Sequence, residues 1–281
     1  FSDIFRNTQY PLLLVKDAVV DLFRDKYGKR PNVSTSKPEI LLDLYVRNNL
    51  VTLSLNTSGA PLFQRGYRKE MGLAPLNEVV AACLIRMSGW DKKMPFLDPF
   101  CGSGTILLEA ALLSTGLPSN LERRYYAFQN LLNYSPDLWE SIYNKIQRRQ
   151  LKLPVPIIGS DISDSMVIKA RRNIRCFSFA RSLDIQVKSF ESIKNNDNPF
   201  FILTNPPYGE RMGENINELY KSIGNWLKTN MVGSDFWMIS SNMEAYKNIG
   251  LKHANKIKVF NGNIECSLRK FEIYKGSLKN K

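Results

Sequence analysis

The chain has 281 residues, a formal net charge of +13, 43% hydrophobic residues and 23% charged residues. At about 150 residues per domain, this length predicts one large domain, or one domain with a smaller companion. The composition excludes disordered and collagen-like chains. No stretch approaches the roughly 18 consecutive apolar residues of a membrane span, so a membrane protein is also excluded.

Histidine and cysteine usage excludes several kinds of catalytic site. The chain has one histidine, His253, which excludes zinc sites that need two histidines. A serine hydrolase would need His253 as its base, and the sequence has no Gly-x-Ser-x-Gly turn to hold the serine. The cysteine spacing matches neither a zinc knuckle nor a disulfide framework, which is typical of a reducing compartment. We therefore expect no metal and a cytoplasmic location. The four cysteines are Cys83, Cys101, Cys176 and Cys266.

Positive charge is concentrated in three places. Residues 247–281 contain nine Lys or Arg against two Asp or Glu. A second cluster lies on a predicted helix, and a third flanks Tyr67. Such clusters predict a polyanion partner held through its phosphates, although a lysine-rich end can also be an ordinary solvated surface. The second and third clusters are Lys169, Arg171, Arg172 and Arg175, and Arg65, Arg68 and Lys69.

The first 60 residues combine one helical pattern with two β runs. Apolar residues recur at helical spacing over residues 11–26. Residues 40–46 and 50–55 are typical of strands, and Arg47-Asn48-Asn49 between them predicts a hairpin. Because this segment is too small to bury a core alone, we interpret residues 1–60 as part of a small α+β domain and residues 61–74 as a linker.

Residues 75–281 repeat a strand, turn and helix pattern. This alternation predicts a doubly wound α/β domain with a parallel sheet covered by helices on both faces. The last two β runs surround Asn261-Gly262-Asn263, which predicts an antiparallel hairpin. A Rossmann-like sheet that ends in such a hairpin is the layout of class I S-adenosylmethionine methyltransferases, whereas a dinucleotide domain would continue with another parallel unit. The predicted helices span residues 75–87, 105–113, 163–179 and 216–231, and the strands 96–98, 156–160, 185–189, 200–204, 236–240, 256–260 and 266–274.

A glycine-rich loop follows the first strand of this domain, and we call residues 98–105 the cofactor loop. Its glycines allow a backbone to approach a ligand closely, and Asp98 suits a cationic or ammonium group. A dinucleotide loop would need glycine where Leu107 stands, and a phosphate loop would need Gly-Lys-Ser/Thr. The alternative is a tight strand-to-helix turn, and Cys101 lacks a base that would make it a nucleophile. The loop residues are Asp98, Pro99, Phe100, Cys101, Gly102, Ser103, Gly104 and Thr105.

The next two strands end in further predicted cofactor ligands. Asp161, followed by Ile162, stands where an acidic residue typically accepts hydrogen bonds from ribose hydroxyls. The alternative role for Asp161 is capping of the following helix. After the third strand, Phe190 is a candidate for stacking on an adenine, and Glu191 for accepting a hydrogen bond from its amino group.

Asn205-Pro206-Pro207-Tyr208, the catalytic loop, follows the fourth strand. An exocyclic purine amine is a poor nucleophile because its lone pair is delocalised into the ring. The Asn205 side-chain oxygen and the Pro206 carbonyl can each accept one N–H and so direct the lone pair toward a methyl sulfonium. The two prolines stiffen the loop, and Tyr208 offers a face on which an extruded base can stack.

The chain resembles the THUMP-domain RNA methyltransferases that modify the N2 amine of guanosine, most of all the bacterial 23S ribosomal RNA enzymes. The similarity is carried by residues 98–105, by Thr204-Asn-Pro-Pro-Tyr-Gly-Glu-Arg211 and by residues 64–68 and 74–78. Members are often described as N6-adenine-specific DNA methylases because they share Asn-Pro-Pro-Tyr, but the Gly-Glu-Arg extension favours guanine. The resemblance implies S-adenosylmethionine as cofactor, RNA as partner and a role in ribosomal RNA processing.

The resemblance also sets the expected domains. Residues 1–60 correspond to part of a THUMP-like RNA-binding segment, and residues 75–281 to the methyltransferase domain. Because the chain begins at Phe1 and the family's RNA-capturing module is longer, we expect that residues upstream were either removed or left out.

Other functions stay open from the sequence. Guanine N2 in transfer RNA and adenine N6 in DNA or RNA present the same kind of amine to Asn205. A restriction-type DNA enzyme would also need a target-recognition domain, for which no segment is long enough. A catalytically silent RNA-binding module would have no need of the catalytic loop.

Overall fold

The computed structural model describes residues 5, 7–36, 38–70, 76–148, 152–207 and 216–273. The chain forms two compact units, one of residues 1–62 with 124–144 and one of residues 63–123 with 145–281. Residues 124–144 therefore group with the first unit although they follow the cofactor loop in sequence. Residues 63–70, which belong to the predicted linker, group with the second unit.

The first unit begins with a helix and a hairpin. These are α1 (Gln9–Tyr27), β1 (Leu41–Arg47) and β2 (Leu50–Asn56). The two strands pair antiparallel, as the hairpin signal Arg47-Asn48-Asn49 predicts. Asn48 and Asn49 connect them with φ values of 48° and 63°, a left-handed conformation that asparagine tolerates better than most residues.

Residues 124–144 add to this unit through main-chain hydrogen bonds. Ala127 N–H donates to the Ser58 carbonyl and Phe128 N–H donates to the Thr57 carbonyl. The helix α4 (Pro136–Gln147), which has no counterpart among the predicted helices, follows them. Five aromatic rings of this segment contact one another, namely those of Tyr126, Phe128, Tyr134, Trp139 and Tyr143.

The second unit is built on a seven-stranded sheet with the order β5-β4-β3-β6-β7-β9-β8. The strands β3 to β7 run parallel, and β9 pairs antiparallel with both β7 and β8. This confirms the predicted doubly wound sheet with a terminal hairpin. The strands are β3 (Phe96–Asp98), β4 (Ile157–Asp161), β5 (Leu183–Val187), β6 (Phe201–Thr204), β7 (Asp235–Ser240), β8 (His253–Asn261) and β9 (Ile264–Glu272).

Apolar side chains alternate between the two faces of this sheet. Leu97 and Ile202 belong to the hydrophobic cluster that packs on α6, whereas Phe96 lies against Trp90 at the end of α2. Both faces are therefore covered. No helix in the described ranges is long and apolar enough to cross a membrane. The helices of this unit are α2 (Glu78–Ser88), α3 (Thr105–Thr115), α5 (Asp164–Ile174) and α6 (Ile216–Asn230).

Two helix boundaries differ from the sequence pattern by about three residues or more. The helix α2 begins at Glu78, because the Asn77 side chain accepts hydrogen bonds from two first-turn N–H groups. The helix α5 ends at Ile174, five residues before the predicted end, and a separate 3-10 turn follows at Ala180–Ser182.

Candidate active site

The site lies at the carboxyl edge of the parallel strands. The strands β4, β3 and β6 are neighbours, and they end at Asp161, Asp98 and Thr204 respectively. Ligands of open α/β sheets bind in the crevice outside this edge. The fold therefore brings the cofactor loop, Asp161 and the start of the catalytic loop to one edge.

The two glycines of the cofactor loop have different roles. Both have positive φ, 52° at Gly102 and 85° at Gly104. A Cβ on Gly104 would lie 3.1 Å from Ala170 Cβ and 3.3 Å from Ile174 Cδ1, so this glycine permits close packing of α3 on α5. A Cβ on Gly102 would meet only Met166 Cε among the described residues, at 3.5 Å, so this is the glycine with room for a ligand beside it.

Asp161 is already oriented by the backbone around it. Its Oδ2 accepts from Gly102 N–H at 3.0 Å, and its Oδ1 accepts from Ser163 N–H at 2.9 Å. The N-cap of α5 is Ser163, not Asp161. Because an ionised carboxylate can accept about four hydrogen bonds, Asp161 keeps acceptor sites for ribose hydroxyls.

Asp98 is buried more deeply than a carboxylate aimed at the crevice would be. It is 1% exposed, and its Oδ1 accepts from Thr204 Oγ1 at 2.6 Å and from Phe100 N–H at 3.2 Å. The pKa of Asp98 is raised to about 7 as the net result of burial, which raises it most, of the two donors, which lower it, and of the negative charge of Asp161, which raises it. The sequence gives no sign of the Thr204 contact.

The remaining cofactor-loop residues hold the loop in place. Cys101 is buried and donates its N–H to the Ser160 carbonyl at 2.9 Å. Burial, with the charges of Asp98 and Asp161, raises the pKa of the Cys101 thiol well above its usual range, so the thiol stays protonated. Pro99 contributes its carbonyl as an acceptor for the Ser160 hydroxyl at 3.5 Å.

The residues predicted to hold adenine differ in exposure. Ile162, next to Asp161, is 79% exposed and so presents an apolar side chain to solvent. Phe190 is 7% exposed and packs against Phe100, with ring centroids 5.0 Å apart, inside the hydrophobic cluster. Glu191 is exposed and lies in the 3-10 turn Phe190–Ser192. The geometry favours Ile162 and Glu191 over the Phe190 face as ligand contacts.

Asn205 carries the most informative polar atom of the site. Its Oδ1 is buried and has no hydrogen-bond partner among the residues that the structure describes. Pro206 is buried and Pro207 is exposed, while Tyr208 lies outside the described residues. Buried polar atoms without partners are rare, and each one calls for an explanation such as a bound ligand.

Residues 65–70, which we call the anchor segment, contact the cofactor loop and the helices α2 and α3. Arg68 donates to Thr105 Oγ1 at 2.9 Å, and its Nε lies 3.3 Å from the Glu78 carboxylate. Arg65 faces Glu109 at 3.5 Å. The side chains of Arg65 and Arg68 are only 11% and 9% exposed. These contacts count against the prediction that the two arginines hold phosphates, because both side chains are largely covered and face acidic partners within the protein.

Asn173 on α5 connects the anchor segment to the cofactor loop. Its Oδ1 accepts from the Lys69 and Glu70 N–H groups, at 3.0 and 3.1 Å. Its Nδ2 donates to the carbonyls of Glu70 and Ser103, at 2.9 and 3.2 Å. Asn173 is 2% exposed, and no sequence motif marks it, because its partners lie as many as 104 residues away.

Other predicted charges also have partners inside the protein. Arg171 donates to the Ile185 carbonyl at 2.6 Å, and Arg172 pairs with Glu70 at 2.9 Å. On the terminal hairpin, Lys256 and Lys258 are both exposed, and Lys258 pairs with Glu265. No group of three or more potential metal ligands occurs within the described ranges.

Comparison with known proteins places these features in a family. A family model described as "RMKL-like, methyltransferase domain" matches residues 65–270, and the THUMP domain model matches residues 3–56. Ribosomal RNA large subunit methyltransferase K/L of Shewanella frigidimarina is 36% identical over 281 residues, covering 97% of this chain and 39% of the relative. The chain thus spans about two fifths of the length of this curated relative.

Solved structures show the same fold. SMU.472, solved in complex with SAH, is 27% identical with a TM-score of 0.75, over 94% of this chain and 70% of that one. A predicted N6-adenine-specific DNA methylase from Listeria monocytogenes is 26% identical with a TM-score of 0.80, over 93% of this chain and 68% of that one.

Proposed function

Because this chain belongs to the RMKL-like methyltransferase family, we propose that it transfers a methyl group from S-adenosylmethionine to the exocyclic N2 amine of a guanine in 23S ribosomal RNA. The observation that carries the proposal is the buried, unpartnered Oδ1 of Asn205 within the described part of the chain. A substrate amine donates hydrogen bonds, and Asn205 Oδ1 is an acceptor at the edge of the sheet where ligands bind.

The residues around the cofactor loop fit S-adenosylmethionine. Asp161 offers acceptor sites for ribose hydroxyls, Ile162 offers an exposed apolar surface for adenine, and Gly102 leaves room for a ligand beside the backbone. The SAH bound by SMU.472 supports this assignment. When bound, S-adenosylmethionine supplies an electrophilic methyl group, and the amine gains that methyl and loses one proton as SAH is formed.

Asn205 and Pro206 act on the amine without removing its proton first. Each oxygen accepts one N–H, which orients the nitrogen lone pair along the line of attack. Such preorganised acceptors need no rearrangement during the reaction, and alignment of this quality contributes up to about 7–11 kcal/mol. The pyrrolidine ring of Pro206 fixes φ and so limits the positions that its carbonyl can take.

Guanine in ribosomal RNA is the substrate that we favour. The curated relatives are named ribosomal RNA large subunit methyltransferases, and the THUMP match favours RNA over DNA. The resemblance of residues 204–211 to guanine-N2 enzymes favours guanine over adenine, although residues 208–211 lie outside the described ranges. A ribosomal RNA substrate would place the activity in the cytoplasm.

A methylation assay with three substrates tests the proposal. The chain and labelled S-adenosylmethionine are incubated with unmodified 23S ribosomal RNA, transfer RNA or DNA, and the modified nucleoside is identified by mass spectrometry. We expect N2-methylguanosine in ribosomal RNA. N2-methylguanosine in transfer RNA alone would change the substrate, N6-methyladenosine would refute the guanine assignment, and binding without incorporation would indicate a silent RNA-binding module.

A further inference from the structure

Thr204 and Asp98 end two neighbouring strands and are joined through their side chains. Thr204 is the last residue of β6, and Asp98 is the last residue of β3, which pairs with β6 in parallel. The Thr204 hydroxyl donates to Asp98 Oδ1 at 2.6 Å. Because Thr204 is 0% exposed and Asp98 is 1% exposed, solvent does not compete for this bond.

A buried carboxylate is an expensive way to hold two strands together. Burial removes its hydration, and for this reason the pKa of Asp98 is raised to about 7. Apolar side chains of similar volume would join β3 to β6 without this cost. The presence of Asp98 and its donor therefore points to a role in the site beyond packing.

We propose that Thr204 is a positioning residue that couples the cofactor loop to the catalytic loop. The backbone of Thr204 continues directly into Asn205, and its hydroxyl fixes the carboxylate that begins the cofactor loop. The same oxygen of Asp98 accepts from Phe100 N–H, so one atom orients both loops. This inference rests on the proposed function, because it assumes a cofactor on one loop and a target amine on the other.

The Thr204 hydroxyl also affects the pH at which Asp98 carries its negative charge. Since Asp98 is 1% exposed and its Oδ1 has two protein donors, we assign its charge, and not a direct contact, to the ammonium group of the cofactor. Thr204 and the Phe100 N–H favour the ionised carboxyl, Asp161 disfavours it by repulsion, and the adjoining Cys101 thiol is neutral. Loss of the Thr204 donor would raise the pKa of Asp98, so binding of the cofactor cation would require a higher pH.

The test compares two substitutions at one position. Thr204→Val keeps the shape and removes the hydroxyl, whereas Thr204→Ser keeps the hydroxyl. For Thr204→Val we expect kcat to fall on the order of tenfold to a hundredfold, as for loss of a hydrogen bond to a charged group. We also expect the pH midpoint of SAH affinity, measured by calorimetry, to move upward. Thr204→Ser is expected to behave like the unmodified chain.

Thr115→Val is the matched control. Its hydroxyl donates to the Ala111 carbonyl at the far end of α3, at 2.7 Å, and we expect no change in kcat or in the pH midpoint. Circular dichroism confirms that each variant is folded. If Thr204→Val does not fold, Asp98→Asn is measured instead, because it keeps the Oδ1 acceptor and removes the charge. In this variant the pH midpoint of SAH affinity should disappear.

Each result bears on the proposal. A folded Thr204→Val with unchanged kcat and midpoint would overturn the coupling, as would a Thr204→Ser variant as impaired as Thr204→Val, or an unchanged midpoint in Asp98→Asn. Failure of the unmodified chain to methylate any RNA would instead count against the proposed function. The SAH titrations require no RNA, so they test the coupling separately.

Discussion

The carboxylate of Asp161 accepts a hydrogen bond of 3.0 Å from the backbone N–H of Gly102, across 59 residues of sequence. This bond joins the end of β4 to the turn of the cofactor loop. A second bond, from Ser163 N–H, holds the other oxygen. The carboxylate is therefore fixed before a ligand binds, which reduces the entropy that binding must remove.

Replacement of Asp161 should weaken cofactor binding. We expect Asp161→Ala to lower SAH affinity roughly tenfold to a hundredfold, because it removes charged acceptors and releases the Gly102 turn. Calorimetry measures the affinity. Asp184→Ala is the control, since Asp184 is an exposed acid on the neighbouring strand β5 and should leave the affinity unchanged. Equal affinity in Asp161→Ala and the control would remove Asp161 from the site.

Replacement of Asn205 should impair methyl transfer and spare cofactor binding. We expect Asn205→Ala to reduce kcat by at least a hundredfold, comparable to the loss of one preorganised polar group in other active sites, with SAH affinity within a few-fold. Asn205→Asp keeps an oxygen acceptor and should retain more activity than Asn205→Ala. If SAH affinity collapses together with kcat, Asn205 is a structural residue and the acceptor role is refuted.

Burial of Asp98 predicts a pH dependence of stability. Its pKa rises from 3.8 in the unfolded chain to about 7 in the folded protein, so the folded state binds the proton more tightly. Stability should therefore fall as pH rises from about 4 to 7, by a few kcal/mol, and level off above this range. Asp98→Asn should remove this part of the slope in chemical unfolding, whereas Asp184→Asn should not. An identical slope in Asp98→Asn would show that Asp98 ionises normally.

The Arg68 ion pair should matter for folding. Arg68→Ala leaves the Glu78 carboxylate buried without this partner, and we expect the free energy of unfolding to fall by about 3–5 kcal/mol. Arg172→Ala breaks a pair whose arginine side chain is 60% exposed, and it should cost less than about 1 kcal/mol. Similar unfolding midpoints for the two variants would contradict the structural role of Arg68.

Local patterns predicted most of the sheet and the ends of its strands. Runs of apolar residues predicted β3 to β9, the Gly-rich and Asn-Pro-Pro motifs predicted Asp98 and Asn205 as site residues, and the strand end predicted Asp161, because these signals lie within a few consecutive residues. The Thr204 contact with Asp98 spans 106 residues, and such pairing leaves no local signal. The same limit explains why Arg65 was predicted as a phosphate ligand, since its acidic partner Glu109 lies far along the chain on α3.

The extent of the first unit could not be predicted from local patterns either. Residues 124–144 join this unit through main-chain bonds to Thr57 and Ser58, which any sequence can make. Backbone hydrogen bonds carry no residue signature. A pattern of side chains alone therefore assigned these residues to the methyltransferase domain that surrounds them in sequence.

We propose that the Asn205 oxygen accepts a hydrogen bond from a guanine N2 amine during methyl transfer. The most direct test incubates the chain, and its Asn205→Ala variant, with unmodified 23S ribosomal RNA and labelled S-adenosylmethionine, followed by nucleoside mass spectrometry. We predict N2-methylguanosine with the unmodified chain and at least a hundredfold less with Asn205→Ala. N6-methyladenosine as the main product, or equal N2-methylguanosine from both proteins, would contradict the account.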